Sequence, residues 1–418
     1  MSDPWHTLIE RIHASPQQAV IAVTGGGASA ISELLSIPGG SRTLLEAVVP
    51  YSEVALTSWL GKFPEHFCIE ETALAMAAVA YRRATQLCSP REKDLPETLA
   101  VSPRPLAGLS CTASLASDRP KKGDHRAFVA TQTQTDTRSW SMLLNKGARG
   151  RKEEDQLVGR LILYGLARAA GFDDLPVLEL RSDETLVEHY ATADPLLIEL
   201  LAGERKVAWS LPGQNRIHSE ENRELTPPPR PKKSEILPAL SPDLATFALP
   251  MGLLCGSFHP LHFGHEQLRA AAERQLGGPV YFEMSIRNVD KPPLDFLSIE
   301  RRRSQFTSLP LALTAAPTFA EKAAALPGTV FVTGVDTAER IVEARYYQGS
   351  DAAMRAALSQ IRDAGCRFLV AGRKLGERFE TLADVAVPAE FAELFASISP
   401  DDFRADVSST ELRRAESH

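Results

Sequence analysis

The chain of 418 residues holds ten histidines, and His259, His262 and His265 fall in one decapeptide, Gly256-Ser257-Phe258-His259-Pro260-Leu261-His262-Phe263-Gly264-His265. The apolar run Met251–Cys255 before it reads as a strand, and His265–Leu276 after it reads as a helix. A strand feeding a small-residue turn and then a helix N-terminus makes an anion site, because unpaired backbone N–H groups point outward there. Gly256 lets the backbone approach a phosphate closely. Only Phe263-Gly264 separates His262 from His265, so both imidazoles can face one polyphosphate. Gly264 leaves room for an adenine ring or a ribose. Gly256, Ser257, Phe258 and Gly264 are therefore the candidate nucleotide contacts of the turn, and His262 and His265 the candidate catalytic groups.

Further along lies Val407-Ser408-Ser409-Thr410-Glu411-Leu412-Arg413. Ser408 and Glu411 have the spacing of a capping box, which predicts a helix start. The hydroxyls of Ser408, Ser409 and Thr410 can hold a triphosphate there, and Arg413 can neutralise it. Three weaker candidates lie between the two segments. Lys291, in Asp290-Lys291-Pro292-Pro293-Leu294, is placed to contact phosphates or to be solvated. Asp336, in Gly334-Val335-Asp336-Thr337, resembles the G-x-D turn by which HxGH nucleotidyltransferases contact nucleotide or acceptor, or else is only the N-cap of the next helix. Arg373 follows the strand-like Phe368–Ala371 and is a candidate contact to triphosphate or acceptor.

The elements that must position these residues alternate between strand and helix. In the C-terminal part, strands are expected at Met251–Cys255, Val280–Met284, Val330–Thr333 and Arg367–Ala371. Helices are expected at Ser298–Ser308, Thr337–Arg345 and Asp351–Ala364. That rhythm is the crossover unit of a doubly wound sheet. In the N-terminal part, Ala19–Val23 reads as a strand ending in Thr24-Gly25-Gly26-Gly27, with helices at Ala28–Leu35, Ile69–Ala84 and Gln156–Ala170 and a strand at Arg126–Thr131. Prolines 227, 228, 229 and 231 exclude regular helix and central strand, and mark an extended linker at 222–245. The expected class is α/β, with two α/β domains whose sheets are largely parallel, the C-terminal one a Rossmann-like doubly wound parallel sheet. The expected boundaries are 1–172, a small subdomain and linker at 173–245, and 246–418.

The decapeptide resembles the signature of the HxGH nucleotidyltransferase superfamily, loosely GxFxPxHxGH, and Val407–Arg413 is similar to that family's second signature, ISSTxxR. The resemblance implies this reaction: a phosphate of the acceptor attacks the α-phosphorus of ATP and pyrophosphate leaves. His262 and His265 would donate to the α- and β-phosphates, Arg413 and Lys291 would assist, and Mg²⁺ would ride on the triphosphate oxygens. The Ser-Ser-Thr-Glu-Leu-Arg form and Asp-Lys-Pro-Pro-Leu resemble the nicotinamide or nicotinic acid mononucleotide adenylyltransferases. That branch often has a tryptophan soon after G-x-D to stack on the pyridine ring. Here no tryptophan follows Asp336, and Tyr346 and Tyr347 are the substitutes in the region. Two other readings stay open: a non-catalytic pyridine-nucleotide sensor, and an adenylyl- or cytidylyltransferase for another phosphomonoester such as phosphopantetheine.

Residues about 5–170 resemble the CinA C-terminal family, the nicotinamide-mononucleotide amidases, through Val23-Thr24-Gly25-Gly26, Ile37-Pro38-Gly39-Gly40-Ser41, Val49-Pro50-Tyr51-Ser52 and Glu70–Met76. The family's nucleophilic serine stands two positions before T-G-G, where this chain has Ala22, and its lysine is replaced by Leu56. An alanine cannot form an acyl intermediate. The expectation is a domain without amidase activity, kept for ligand binding or self-association as a homodimer, with Thr112 and Arg149 as candidate remnants of its substrate site.

The bulk numbers narrow the classes further. A formal net charge of −7 does not suit a nucleic-acid surface, so the expected partners are small-molecule nucleotides. No apolar run is long enough for a membrane span, and the first residues do not read as a secretory signal. Five dispersed cysteines read as reduced thiols, and with the rest they give the expectation of a cytoplasmic protein.

Overall fold

The computed structural model describes residues 3–88, 104–118, 122–212, 217–218, 250–287, 294–375 and 378–404. Lys291, Ser408, Ser409, Thr410 and Arg413 lie outside the described residues, as does the capping box expected at Ser408–Glu411. The chain divides into two mixed α/β units, residues 1–193 with 290–300 and residues 194–289 with 301–418.

The first unit runs α1 (Pro4–Ala14), β1 (Gln18–Val23), α2 (Ser29–Ser36), α3 (Gly40–Thr43), β2 (Leu44–Val48), α4 (Glu53–Leu60), α5 (Glu70–Cys88), β3 (Leu106–Ser114), β4 (His125–Gln132), β5 (Asp136–Leu144), α6 (Arg151–Ala169) and β6 (Thr185–Thr192). Its sheet has the order β2-β1-β3-β4-β5-β6. β1 pairs in parallel with β2 and β3, while β3 to β6 form an antiparallel run. The expectation of a largely parallel sheet is corrected for this half. The physical reason is the connection length. Only Thr133–Thr135 separate β4 from β5, and a parallel pair needs a crossover of about a dozen residues or more. Thr133 makes that tight turn, its Oγ1 accepting from the Asp136 N–H at 3.0 Å.

α5 carries a stripe of small buried residues, Ala73, Ala77, Ala80 and Ala84, at helical spacing. It crosses β3 at Gly108, where a Cβ would lie 2.2 Å from the Ala77 carbonyl oxygen. Helix and sheet backbones can come this close only because neither carries bulk at the crossing. The main core of this unit packs Leu8, Ile12, Ile21, Leu109, Trp140, Leu161 and Leu166.

The second unit contains α7 (Pro195–Ala202), β7 (Val207–Ser210), β8 (Ile217–His218), β9 (Gly252–Cys255), α8 (Phe263–Leu276), β10 (Val280–Ser285), the end of α9 (Phe296–Arg303), β11 (Leu311–Thr314), α10 (Phe319–Ala325), β12 (Val330–Gly334), α11 (Val335–Val342), α12 (Asp351–Asp363), β13 (Arg367–Ala371), the hairpin β14 (Arg373–Leu375) and β15 (Arg378–Glu380), and β16 (Phe395–Ser397). Its large sheet has the order β16-β13-β12-β9-β10-β11-β7-β8. From β16 to β11 every pairing is parallel, and β7 and then β8 extend the sheet antiparallel beyond β11. Consecutive buried residues along these strands, such as Phe331, Val332 and Thr333, fit a sheet covered on both faces. Counted from β9, the six parallel strands have the order 3-2-1-4-5-6, that of a doubly wound sheet.

The segment 173–212, expected within a separate subdomain, is divided between the units. β6 extends the first sheet, and α7 and β7 join the second. Short apolar stretches such as Leu196–Leu201 can bury themselves only against an existing sheet, and this one forms α7 with Leu197 and Leu200 inward.

Candidate functional site

In an open α/β sheet, the crevice at the carboxyl ends of the strands opens where the strand order reverses. Here that point lies between β9 and β12, which are neighbours in the sheet and lead away in opposite directions. The two turns that leave these strand ends are Gly256–His262 and Gly334–Asp336. The histidine segment and the G-x-D segment, far apart in sequence, are thus brought to one crevice.

α8 is capped by its own histidines. His262 has extended backbone at the N-cap, and its N–H donates to Nδ1 of His265 at 3.2 Å. The His265 N–H donates to the His262 carbonyl at 2.9 Å. The two rings stack, with centroids 3.7 Å apart and planes 29° apart. Leu268, Ala271 and Ala272 anchor the helix inward, and Gly277, with φ +70°, ends it by donating to the Glu273 carbonyl. Helix geometry leaves the first-turn amides of Phe263 and Gly264 without intrahelical acceptors.

Burial holds the His265 imidazole down to about 3, with the neighbouring His262 adding to the shift. His262 is lowered too, first by burial and then by the positive charge of Arg373. His265 is therefore uncharged at neutral pH. Because its Nδ1 accepts a backbone proton, its own proton sits on Nε2. His265 is a neutral, oriented N–H donor.

Asp336 is the second helical residue of α11, and Gly334 is the N-cap. Asp336 is thus not the cap, and its carboxylate accepts from Arg373 Nη1 at 3.3 Å. Each of these two side chains keeps about a third of its surface exposed. The structure brings together His262, His265, Asp336 and Arg373, with Gly264 in the first turn of α8.

Other candidates in the turn have different work. The Phe258 ring is buried and meets Phe282 and Phe306 at 5.3 Å and His265 at 5.1 Å, all edge-on. It is a core side chain beneath the site and not a nucleotide contact. Its backbone, at φ +45°, lies in the left-handed region, which a bulky residue enters only when its surroundings hold it there. Gly256 is required by that ring, since a Cβ would stand 2.8 Å from it. The Gly256 N–H already donates to the Glu283 carbonyl at 3.0 Å, so it is not an amide for phosphate. Ser257 is exposed, and its carbonyl accepts from Arg302. Tyr347 packs on the core with its hydroxyl donating to the Ile341 carbonyl. Tyr346 is exposed, with Arg340 and Arg345 over its ring.

Sequence reading missed three residues here. Arg302 and Gln305 reach the turn from α9 and the residues after it. Phe263, at the first position of α8, exposes 71% of its surface beside His262. No motif marks the first two. Phe263 could have been found from its place between two candidate histidines.

In the first unit, the turn after β1 is built differently. Ala22 at the strand end and Leu56 in α4 are both buried in one apolar cluster with Leu60 and Met76. At these two positions hydrocarbon side chains pack together. The amides at the start of α2 are occupied from within: Gly27 and Ser29 donate to the two carboxylate oxygens of Asp155 at 2.7 and 3.3 Å. Thr112 is buried and donates to the Phe67 carbonyl. Arg149 pairs with Glu184 and donates to the Glu179 carbonyl, which makes it a structural group of its own loop.

No protein-family model and no curated protein matches the chain. Solved structures of competence-damage proteins align with its N-terminal two-fifths. The competence/damage inducible protein CihA from Agrobacterium tumefaciens is 18% identical, with 40% of this chain and 97% of that chain covered and a TM-score of 0.31. A competence or damage-inducible protein from Enterobacter asburiae is 16% identical over 41% and 98%, with a TM-score of 0.29. A competence-damaged protein (CinA) superfamily protein from Klebsiella pneumoniae is 12% identical over 40% and 99%, with a TM-score of 0.30. Among the described residues no helix is long and apolar enough to cross a membrane.

Proposed function

We propose that the second unit is an adenylyltransferase: it transfers AMP from ATP to the phosphate of a mononucleotide, with nicotinamide or nicotinic acid mononucleotide as acceptor, and releases pyrophosphate. The observation that carries the reading is the neutral, stacked His262–His265 pair at the start of α8, set at the switch point of a doubly wound sheet.

An acceptor phosphate oxygen attacks the α-phosphorus of ATP. The bond from that phosphorus to the bridging oxygen breaks, and the electron pair leaves with pyrophosphate. Such a reaction needs alignment and stabilisation of phosphate charge more than covalent help from the protein. His265 Nε2–H and the imidazole of His262 would donate to the α- and β-phosphate oxygens. Arg373 would add positive charge beside them. Lys291 and Arg413 are proposed to complete the clamp, with Ser408, Ser409 and Thr410 on the triphosphate. Among the described residues no cluster of three His, Cys, Asp or Glu side chains could hold a metal ion. Mg²⁺ would enter with ATP. Carried on the triphosphate, it would neutralise charge there.

The choice of acceptor rests on the sequence resemblances in both halves of the chain. The test is pyrophosphate release from Mg²⁺-ATP with a panel of both pyridine mononucleotides and phosphopantetheine. Release with a pyridine mononucleotide supports the proposal. Release with phosphopantetheine alone overturns the acceptor, and nucleotide binding without release from any acceptor overturns the transfer reaction.

A further inference from the structure

Gln305, from outside the turn that carries the histidines, holds that turn at two points. Gln305 Oε1 accepts from the Leu261 N–H at 2.7 Å, and its Nε2 donates to the Phe258 carbonyl at 3.1 Å. The same Nε2 donates to the Arg302 carbonyl at 3.2 Å. Arg302 Nη1 in turn donates to the Ser257 carbonyl at 3.1 Å. The orientation of the amide is fixed by these partners. Rotating it by half a turn would put its NH₂ against an N–H and its oxygen against two carbonyls. Gln305 thus pairs with both sides of the His259–Pro260 bend, as one residue of a strand would. Leu261 is the residue immediately before the N-cap His262. Whatever fixes the Leu261 amide fixes where α8 begins, and with it the stack of His262 on His265.

The adjoining contacts do not replace this pairing. The Phe258 ring locks the strand side of the bend, through Phe282 and Phe306. On the helix side, the hydrogen bond to the Leu261 backbone comes from Gln305. The turn is short of regular structure, so its backbone polar groups need partners of this kind to hold one conformation.

We infer that Gln305 is a positioning residue for the histidine pair: its carboxamide sets the N-terminus of α8, and so the aim of His262 and His265, without touching substrate. The inference rests on the adenylyltransferase reading for its kinetic consequence, and on geometry alone for its spectroscopic one. A misplacement of about 1 Å at a reacting site costs on the order of 100-fold in rate.

The experiment compares Gln305→Ala and the near-isosteric Gln305→Glu with the unaltered full chain. Gln275→Ala serves as control, because it removes a similar amide-to-carbonyl bond, to Ser397, at the other end of α8. Three quantities are read: kcat and KM for pyrophosphate release, the ¹⁵N shifts of the His262 and His265 rings, and the unfolding temperature. The expected result is a kcat lower by roughly 10- to 100-fold in both variants, with KM for ATP changed far less. The His265 Nδ1 resonance should move away from its hydrogen-bonded position, while the unfolding temperature stays within about 4 °C of wild type. The control should leave all three unchanged. Unmoved histidine resonances in both variants would overturn the inference whether or not the protein transfers adenylyl groups. A fall in kcat matched only by a fall in unfolding temperature would overturn it too, reducing Gln305 to a stabilising contact. If the wild type releases no pyrophosphate with any acceptor, the histidine resonances still decide the matter. The failure of the enzymatic reading is thereby kept apart from the failure of this one.

Discussion

The two units each send their first parallel strand into a glycine-bearing turn and then into a helix N-terminus, and they use the same local shape in opposite ways. After β1, the amides at the start of α2 are closed by the carboxylate of Asp155, and the strand end is packed with Ala22 against Leu56. After β9, the start of α8 is capped by an uncharged histidine nitrogen, and a second imidazole lies stacked on the first. A helix N-terminus favours negative charge. A resident carboxylate satisfies that preference and repels a phosphate, whereas a neutral imidazole leaves it unspent and adds a donor. The strand–turn–helix shape supplies only a field, and the side chain placed against it decides whether that field is already satisfied within the fold.

The comparison can be broken most forcefully at His265. His265→Ala should lower the rate of pyrophosphate release by about 100- to 1,000-fold, the usual cost of losing one donor to developing phosphate or oxyanion charge. The same variant tests the electrostatics. The folded-state pKa of His265 lies at about 3, against an ordinary 6.5. The unfolded chain therefore takes up the proton first as pH falls, so the stability contributed above about 6.5 is lost on the way down towards 3. Urea unfolding between pH 7 and 4 should show a slope shallower in the variant than in wild type by up to about 1.4 kcal/mol per pH unit. Equal slopes would mean that His265 is not held neutral by its site.

A smaller effect is expected on the other side. Asp155→Ala removes two charge-assisted bonds to the start of α2 and should cost about 1–3 kcal/mol in urea unfolding. It should also let inorganic phosphate protect the first unit of the variant against urea more than it protects the first unit of wild type. A variant indifferent to phosphate would show that something besides the carboxylate keeps anions out.

The smallest effect concerns Arg373, whose charge helps hold His262 below its ordinary pKa. Arg373→Met should raise the His262 pKa in a ring-resonance titration while burial keeps it under 6.5. No change would place the guanidinium too far away to share the site.

Much of this was legible in the residues. β9, β10, β12 and β13 fall within a residue or two of the expected strands, because runs such as Val330–Thr333 bury both faces and so read as continuous apolar segments. The helices at 29–36 and 351–363 lie within a residue of the expected 28–35 and 351–364. Less legible was the antiparallel half of the first sheet, where the deciding fact is the three-residue turn at Thr133–Thr135 and not the composition of the strands. The site divides in the same way. The histidine pair, Gly264 and the aspartate of G-x-D were named as candidates from residue types at a spacing. The burial of Phe258, the engagement of the Gly256 amide by Glu283 and the hold of Gln305 on the turn were not.

The sequence by itself determined which side-chain groups are present: imidazoles before a helix, an aspartate after a strand, and an alanine and a leucine at the two positions where the resemblance expects a serine and a lysine. Those are matters of side-chain chemistry, and no fold can supply a hydroxyl to Ala22. Tertiary structure alone decided which of these groups meet and in what state. The order of β9 against β12 brings Asp336 and Arg373 to the histidines. Burial against Phe258 and the stack on His262 hold His265 neutral with its proton on Nε2. Strand order and desolvation depend on residues distant along the chain, so no local pattern encodes them.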